Sequence, residues 1–182
     1  VQNIIGKKRI AEKALALLLD EKVIFLDAGT TTRELALLLK EREELYIVTT
    51  DLMIAGILQN GKAGLFFCGG EIQKSTGSSL GSLTVEQLRD FSFDIAFLGT
   101  SAINSRLELS TPTVEKVSLK RTVLQKAKKA VLLADESKFD KQAMMRICSV
   151  EEFDVLVTDK ALSEKEEKEL RKMGVTFYSL ME

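Results

Sequence analysis

Seven short runs of apolar residues recur along the chain, separated by stretches in which polar and apolar residues mix. Within each run the apolar residues are nearly continuous, which is typical of strands buried on both faces by helices. The predicted strands are Val23–Asp27, Tyr46–Thr49, Leu65–Cys68, Ile95–Gly99, Ala130–Asp135, Val155–Thr158 and Val175–Tyr178. The pattern therefore predicts a sheet whose strands run mostly parallel.

The stretches between these runs carry the start signals of helices. Four of them have a hydroxyl residue followed three positions later by Glu or Gln, which is the spacing of a capping box. These pairs are Thr31/Glu34, Thr84/Gln87, Ser149/Glu152 and Ser163/Glu166. Asp51 precedes the apolar run LMIAGIL, and Thr111 precedes Pro112, which suits a first helical position. A further amphipathic helix is predicted from Ile4 to Leu19.

Alternation of strands and helices predicts an α/β fold, with a mostly parallel sheet flanked by helices and joined by right-handed crossovers. No internal repeat, low-complexity segment or linker interrupts the 182 residues, so we expect one domain spanning residues 1–182. The chain starts within a helical pattern and without an initiating methionine. We therefore expect the natural protein to carry a further domain before it.

Composition excludes several classes of function. The formal net charge is −1 at pH 7, so the chain has no broad field that would attract nucleic acid or an anionic membrane. No apolar run approaches the roughly 18–20 residues that span a bilayer. Two cysteines far apart, Cys68 and Cys148, form no disulfide framework, which favours the cytoplasm. The chain has no histidine, so the commonest general base and the usual zinc ligand are absent.

Polar, glycine-rich segments follow five of the predicted strands. They are residues 27–32 (DAGTTT), 49–51 (TTD), 69–71 (GGE), 99–101 (GTS) and 135–138 (DESK). Glycine lets a backbone approach a ligand, and hydroxyls and helix N-terminal N–H groups donate to phosphate. Each corner alone suits a helix cap or a turn equally well, and the chain has no Walker or dinucleotide motif. Because ligands of open parallel sheets bind beyond the carboxyl ends of the strands, the convergence of five corners predicts a polar ligand pocket.

Two groups of lysines could supply positive charge to that pocket. On a helix that begins near Val114, Lys116 and Lys120 fall within the apolar arc and not on the solvent face. Such lysines either extend along apolar surface to water or point into a cavity that holds an anion, and helical spacing leaves both options open. Lys138 follows the strand end at Asp135, which places it nearer to a ligand.

Seven motifs in the chain resemble, in order and spacing, the effector-sensing domain of DeoR-family transcriptional regulators. They are IFLDAGTTT, YIVTTDLMIA, FCGGEIQKSTGSSLG, DIAFLGTSAI, STPTVEKVSLKR, VLLADESKF and FDVLVTD, and the resemblance runs from about Lys7 onward. It implies the fold of ribose-5-phosphate isomerase and CoA transferases, and an effector that is a phosphorylated sugar or polyol. It also implies homo-oligomers, either dimers or tetramers. In that family an N-terminal winged helix-turn-helix binds operator DNA, so we expect DNA binding only through a domain that this sequence lacks.

The resemblance also assigns candidate effector-binding residues. Those for the phosphate are Gly29, Thr30, Thr31 and Thr32, and those for the rest of the effector are Asp27, Thr50, Asp51, Gly70, Gly99, Thr100, Ser101, Glu115, Lys120 and Lys138. At position 51 the family usually has Asn. An acid there still accepts hydrogen bonds from sugar hydroxyls but repels a nearby phosphate.

The alternative function is that of a sugar-phosphate isomerase, because the implied fold is shared. Isomerases of that fold carry Asp-Gly-Ala-Asp where this chain has Leu98-Gly99-Thr100-Ser101. Enolisation needs a base to move a proton beside a carbonyl, and both carboxylates are missing. Glu115 remains, but a single glutamate serves equally well to bind a hydroxyl. We therefore predict a sensor with no catalytic residue, cofactor or metal, whose three threonines cap a helix and bind an anion at once.

Overall fold

The computed structural model describes residues 3–181, which form six α-helices and twelve strands. The helices are α1 (Ile4–Ala16), α2 (Thr30–Leu39), α3 (Leu52–Gln59), α4 (Ser82–Leu88), α5 (Glu115–Lys126) and α6 (Glu164–Lys172). The strands are β1 (Val23–Leu26), β2 (Tyr46–Thr49), β3 (Gly64–Phe67), β4 (Glu71–Gln73), β5 (Ser78–Leu80), β6 (Ile95–Leu98), β7 (Ala102–Ile103), β8 (Glu108–Thr111), β9 (Ala130–Leu133), β10 (Met145–Ser149), β11 (Val155–Thr158) and β12 (Thr176–Ser179).

All seven predicted strands lie in one parallel sheet, in the order β12-β11-β9-β6-β1-β2-β3. The predicted fold class, a mostly parallel sheet flanked by helices, is therefore confirmed. From β1 the chain extends the sheet outward through β2 and β3, and then returns to β6 on the other side of β1. The order reverses between β1 and β6, so a crevice opens beyond their carboxyl ends, where ligands of such sheets bind.

The sheet separates two apolar layers, and alternate residues of each central strand contribute to opposite layers. In β1, Phe25 belongs to one layer, while Ile24 and Leu26 belong to the other. Helices α1, α2 and α3 cover the Ile24 side. Helices α4 and α5 cover the Phe25 side, where the ring of Phe93 lies 5.3 Å from that of Phe25, centroid to centroid. Burial on both faces is the reason why the strand runs are continuously apolar.

Two small antiparallel sheets were not predicted from the sequence. Strands β4 and β5 form a hairpin, and β7, β8 and β10 form a three-stranded sheet. The hairpin strands read EIQ and SSL, and β7 has only two residues. Strands this short and polar carry no apolar run and no clear alternation, so hydrophobic periodicity gives no signal for them.

The first helix begins at Ile4 as predicted and ends at Ala16, and two of the predicted helix caps are confirmed. Asp51 caps α3, because its Oδ1 accepts hydrogen bonds from the backbone N–H groups of Met53 at 2.7 Å and Ile54 at 3.2 Å. Ser163 and Glu166 form the capping box of α6, in which each side chain binds the backbone N–H of the other. At the N-termini of both helices, side chains therefore accept hydrogen bonds from first-turn N–H groups that have no partner inside the helix, as the spacing indicated.

Of the other four predicted starts, three are wrong and one begins a 3₁₀ turn instead of an α-helix. Helix α2 begins after Gly29 and α4 after Gly81, so Thr31 and Thr84 lie inside the first turns of these helices. Ser149 caps only a short 3₁₀ turn, Val150–Glu152. Pro112 does not begin a helix, because Thr111 is the last residue of β8 and α5 begins only at Glu115. The Thr111 hydroxyl accepts a hydrogen bond from the backbone N–H of Thr113, which lies between the two elements. Glycine satisfies the backbone geometry of a start without any side-chain signal, so the hydroxyl spacing indicated the wrong residue.

Candidate functional site

A cavity of about 320 Å³ opens beyond the carboxyl ends of β1, β6 and β9. Its walls come from the loops after these strands, from α5 and from the turn of the β4–β5 hairpin. The lining residues are 28–33, 75–76, 99–101, Lys116, Lys120, Leu133, Asp135 and Lys138. The cavity thus lies where the strand order reverses, at the position expected for a ligand site.

The N-terminus of α2 faces this cavity without a side-chain cap. Gly29 is the N-cap residue, with φ 157° and ψ 164°, a backbone region that glycine alone occupies readily. Within the described part of the chain, no side chain caps the first turn by accepting a hydrogen bond from it. An uncapped first turn offers N–H donors and the positive end of the helix dipole, which together favour an anion.

The three threonines of this turn have different roles. Thr32 is buried, and its hydroxyl donates to the backbone oxygens of Asp27 at 2.6 Å and Gly29 at 3.0 Å. Thr30 and Thr31 line the cavity, and within residues 3–181 their hydroxyls form no hydrogen bond. Thr32 therefore fixes the loop, while Thr30 and Thr31 have hydroxyls available to a ligand.

Below the cavity, Lys120 of α5 forms a buried ion pair with Asp27 at the end of β1. The Lys120 Nζ lies 3.0 Å from Asp27 Oδ2 and also donates to the Gly99 carbonyl oxygen at 2.6 Å. The Gly99 N–H donates to the same Asp27 oxygen at 3.0 Å. Lys120 thus neither extends to water nor carries an unpaired charge, and the pair fixes the loops after β1 and β6 to α5.

A second ion pair joins Arg33 of α2 to Asp51. Asp51 Oδ2 lies 3.1 Å from the guanidinium and accepts from the Gly29 N–H at 3.2 Å. Arg33 also donates to the Thr76 carbonyl oxygen at 2.9 Å, which connects the hairpin turn to the cavity wall. Sequence analysis missed Arg33, although it lies one helical turn after Gly29 and therefore on the same face of α2.

Two further cations line the cavity without a partner. Within the described chain, the ammonium groups of Lys116 and Lys138 form neither a hydrogen bond nor an ion pair. The pKa of Lys116 is lowered, chiefly by burial of its ammonium group. The carboxylates of Asp27 and Asp51 oppose this shift, and the positive charge of Lys120 adds to it. The four cations of the lining outnumber the three carboxylates at or behind it, so the site favours an anionic ligand.

Comparison with known proteins assigns the family. The model of the DeoR C-terminal sensor domain matches residues 2–160. The chain belongs to this family. A DeoR-type sensor domain was the expectation from the sequence motifs, and the match confirms it.

Several relatives of this DeoR-type sensor domain are named as transcriptional regulators. It is 35% identical to an uncharacterized HTH-type transcriptional regulator of Haemophilus influenzae, over 94% of this chain and 67% of the relative. It is 33% identical to the HTH-type transcriptional regulator GlpR of Haloferax volcanii, over 97% of this chain and 69% of the relative. It is 30% identical to the glycerol-3-phosphate regulon repressor of Escherichia coli, over 84% of this chain and 61% of the relative. The DeoR-type domain is therefore a sensor and not an enzyme.

Solved structures confirm the predicted relation to the ribose-5-phosphate isomerase fold. Ribose-5-phosphate isomerase A of Methanocaldococcus jannaschii superposes with a TM-score of 0.54 at 22% identity, over 76% of this chain and 55% of that one. The eIF2B delta subunit of Chaetomium thermophilum superposes with a TM-score of 0.59 at 15% identity, over 85% of this chain and 56% of that one. At such low identity the superpositions show the fold alone.

Most of the predicted site residues of this DeoR-type domain come together in the cavity wall. Nine of them line the cavity: Gly29, Thr30, Thr31, Thr32, Gly99, Thr100, Ser101, Lys120 and Lys138. Asp27 and Asp51 lie behind the wall, where Lys120 and Arg33 neutralise them. The repulsion expected between Asp51 and a phosphate is therefore reduced by an adjacent guanidinium.

Three predicted residues lie outside the lining. Thr50 is buried beneath the hairpin, and its carbonyl oxygen accepts from the N–H and the hydroxyl of Ser79. Gly70 packs against α4, where an added Cβ would overlap the hydroxyl of Thr84. Glu115 is exposed at the start of α5. Thr50 and Gly70 follow predicted strands and Glu115 was assigned by the family resemblance alone, but none of the three lines the cavity.

The chemistry of the DeoR-type site is that of binding. Among residues 3–181, no cluster of three or more His, Cys, Asp or Glu side chains could hold a metal ion. The cavity wall contains one carboxylate, Asp135, and Leu98 and Ser101 stand at the positions of the paired acids that enolisation needs. None of the helices in the described part of the chain is long and apolar enough to cross a bilayer.

Proposed function

We propose that this domain binds a phosphorylated sugar or polyol and holds its phosphate at the N-terminus of α2. The uncapped first turn of α2 at the cavity carries this proposal. Thr30 and Thr31 have hydroxyls free to donate, and Lys116 and Lys138 have ammonium groups free to pair with a dianion. Phosphate needs this combination of backbone N–H donors, hydroxyls and nearby cations.

The size and polarity of the cavity suit a small hydroxylated ligand. A volume of about 320 Å³ is at the lower end of the range of small-molecule sites, about 300–1,000 Å³. Apart from the phosphate cradle, its wall offers Ser75 and Ser101, which can donate to and accept from hydroxyl groups. Thr76 and Thr100 donate to Gln73 and Ala102, so they can only accept. Relatives named as regulators of glycerol-3-phosphate genes are consistent with such an effector.

The function of the whole protein follows as a further part of the proposal. The chain spans between 60% and 69% of the length of these relatives, which are named as HTH-type regulators or regulon repressors. We propose that a preceding helix-turn-helix domain binds operator DNA in the cytoplasm and represses transcription. We also propose that effector binding to the sensor domain changes the affinity for the operator. We also propose that the protein assembles as a homodimer or homotetramer.

A thermal-shift screen tests the effector class. The ligands are hexose, pentose, tagatose and polyol phosphates, with inorganic phosphate and the unphosphorylated sugars as controls. An effector at 100 times its Kd should stabilise the domain by about 2.7 kcal/mol, and the matching unphosphorylated sugar should not. Equal shifts by the sugar and its phosphate ester would contradict a phosphate site.

A further inference from the structure

Asp135 contains a buried oxygen that lacks a hydrogen-bond partner. The residue follows β9, lines the cavity and is only 2% exposed. Its Oδ1 accepts from the backbone N–H of Ser137 at 2.9 Å and also from the Ser137 hydroxyl. Among the described residues, its Oδ2 is the one buried side-chain oxygen or nitrogen without a partner. Buried polar atoms are nearly always paired, so this exception needs an explanation.

The protein's own cations do not supply the missing partner. Lys116 and Lys138 line the same cavity, yet neither forms an ion pair with Asp135. Lys138 lies on the 3₁₀ turn Glu136–Lys138 that the other oxygen of Asp135 caps. The carboxylate is therefore held in place by one oxygen, while the other is buried in the cavity wall without a partner in the described chain.

An ionised carboxylate only accepts hydrogen bonds. It therefore repels the phosphate of a ligand and attracts a group that donates. Asp135 follows β9 while the first turn of α2 follows β1, and β6 lies between these strands, so Asp135 and the N–H donors of α2 lie on different parts of the cavity wall. A ligand that contacts both needs an anionic end and a donor elsewhere.

We propose that Asp135 Oδ2 accepts a hydrogen bond from a hydroxyl group of the effector and thereby selects hydroxylated phosphate esters over simple ones. This inference rests on the proposed function, since it assigns one more residue to the same site. A hydrogen bond to a charged group that is otherwise unpaired raises affinity by about ten- to a hundredfold.

The same arrangement makes a second, independent prediction about the empty protein. An unpaired buried charge destabilises the fold, so its removal stabilises the ligand-free domain or leaves it unchanged. Asp135→Asn keeps the Oδ1 acceptor for Ser137 while it removes the charge. A residue that serves only to cap the turn would instead lower the melting temperature when replaced, as Ser137→Ala is expected to do.

The experiment compares ligands that differ in their hydroxyl groups. Isothermal titration measures the Kd of inorganic phosphate, ethyl phosphate, glycerol 3-phosphate, ribose 5-phosphate and fructose 1-phosphate with wild type, Asp135→Asn, Asp135→Ala and Ser137→Ala. We expect the tightest hydroxylated ester to bind wild type at least tenfold better than ethyl phosphate. In both Asp135 variants this ratio should fall at least fivefold, while inorganic phosphate binds as tightly as before or more tightly. Ser137→Ala should keep the wild-type ratio.

The possible failures are distinguishable. If ethyl phosphate and inorganic phosphate bind but the ratio survives in both Asp135 variants, Asp135 does not recognise a hydroxyl and this inference is overturned. If the Asp135 variants lose affinity for every ligand equally and melt lower, Asp135 is a structural cap and the inference again fails. If wild type binds none of the five phosphates, the proposed function fails, and this inference with it.

Discussion

The Nζ of Lys120 lies 3.0 Å from Oδ2 of Asp27, and both side chains are almost fully excluded from solvent. The pair joins α5 to the end of β1, and the Gly99 backbone connects both partners to the end of β6. The ion pair therefore holds α5 against the ends of the two strands beyond which the cavity opens. The pair fixes the positions of the loops that line the site, and because its two charges cancel it adds no net charge to the cavity.

Loss of one partner should destabilise the fold more than loss of both. Lys120→Met leaves the Asp27 carboxylate buried without its cation, which we expect to cost about 3–5 kcal/mol of unfolding free energy. Asp27→Asn should cost a similar amount, because Lys120 then lacks its anion. The double variant should lose less than the sum of the single losses, as urea denaturation at a constant m-value would show. Additive losses would mean that the two residues do not interact.

The neighbouring threonines of α2 allow the binding and folding roles to be separated. Thr31→Val removes a hydroxyl that has no partner in the described chain. It should therefore weaken the binding of a phosphate ester about tenfold, with little change in the unfolding free energy. Thr32→Val removes two hydrogen bonds to the loop and should lower the unfolding free energy by about 1–3 kcal/mol. Titration and denaturation of both variants test this. A stability loss in Thr31→Val alone would reverse the assignment.

Lys116 should make binding dependent on pH. Burial lowers the pKa of its ammonium group, and an added anion should raise it again. Affinity for a phosphate ester should therefore be full below the lowered pKa of the free protein and decline as the pH rises through it. The second pKa of a phosphate monoester is about 6, so the charge of the ligand stays constant at neutral and alkaline pH.

Isothermal titration between neutral and alkaline pH, in buffers of different ionisation enthalpy, measures the proton uptake that this mechanism requires. Lys116→Arg should flatten the dependence, because arginine keeps its charge throughout the range. Lys168→Arg, on α6 and away from the cavity, is the matched control. A profile identical in wild type and Lys116→Arg would exclude Lys116 from the pH effect.

Two helical glycines provide a test of packing around α1. An added Cβ at Gly6 would overlap the carboxylate of Asp159, which also accepts from Asn3 and thus attaches α1 to the end of β11. The overlapped atoms are side-chain ends that must move, so we expect Gly6→Ala to lose the gain of about 0.5–1 kcal/mol that alanine otherwise gives inside a helix. At Gly56 of α3 an added Cβ meets nothing within 4 Å, so Gly56→Ala should raise the unfolding free energy by about 0.5–1 kcal/mol. Equal effects of the two substitutions would contradict the packing of α1.

The sequence alone predicts the central sheet, because burial of its strands between two layers of helices requires apolar residues at consecutive positions. The inner strands, such as Val155–Thr158, are buried on both faces, and continuous apolar runs are the direct result. The strands of the hairpin are short and partly polar, so their pairing depends on the rest of the fold. Gly70 and Glu115 were assigned to the site by the family resemblance, and they lie outside the cavity lining of this chain.

The candidate site could be predicted only in part, for a similar reason. Threonines and glycines after strand ends are visible in the sequence, and the fold indeed gathers most of them. Whether Lys120 meets an acid depends on how α5 crosses the sheet, which helical spacing cannot determine. The orphan oxygen of Asp135 is likewise a property of three-dimensional packing, because its sequence position equally suits a simple cap.

The most direct test of the central claim is isothermal titration of a phosphate ester, chosen by the thermal-shift screen, against three variants. Gly29→Val forces a side chain into a backbone conformation suited to glycine and moves the N–H donors of α2, and Lys138→Ala removes an unpaired cation from the cavity. We predict that each weakens binding at least tenfold, about 1.4 kcal/mol, while Lys168→Ala binds as wild type. If Gly29→Val and Lys138→Ala both bind like wild type and only melt at lower temperature, the α2 corner is structural and the effector site lies elsewhere.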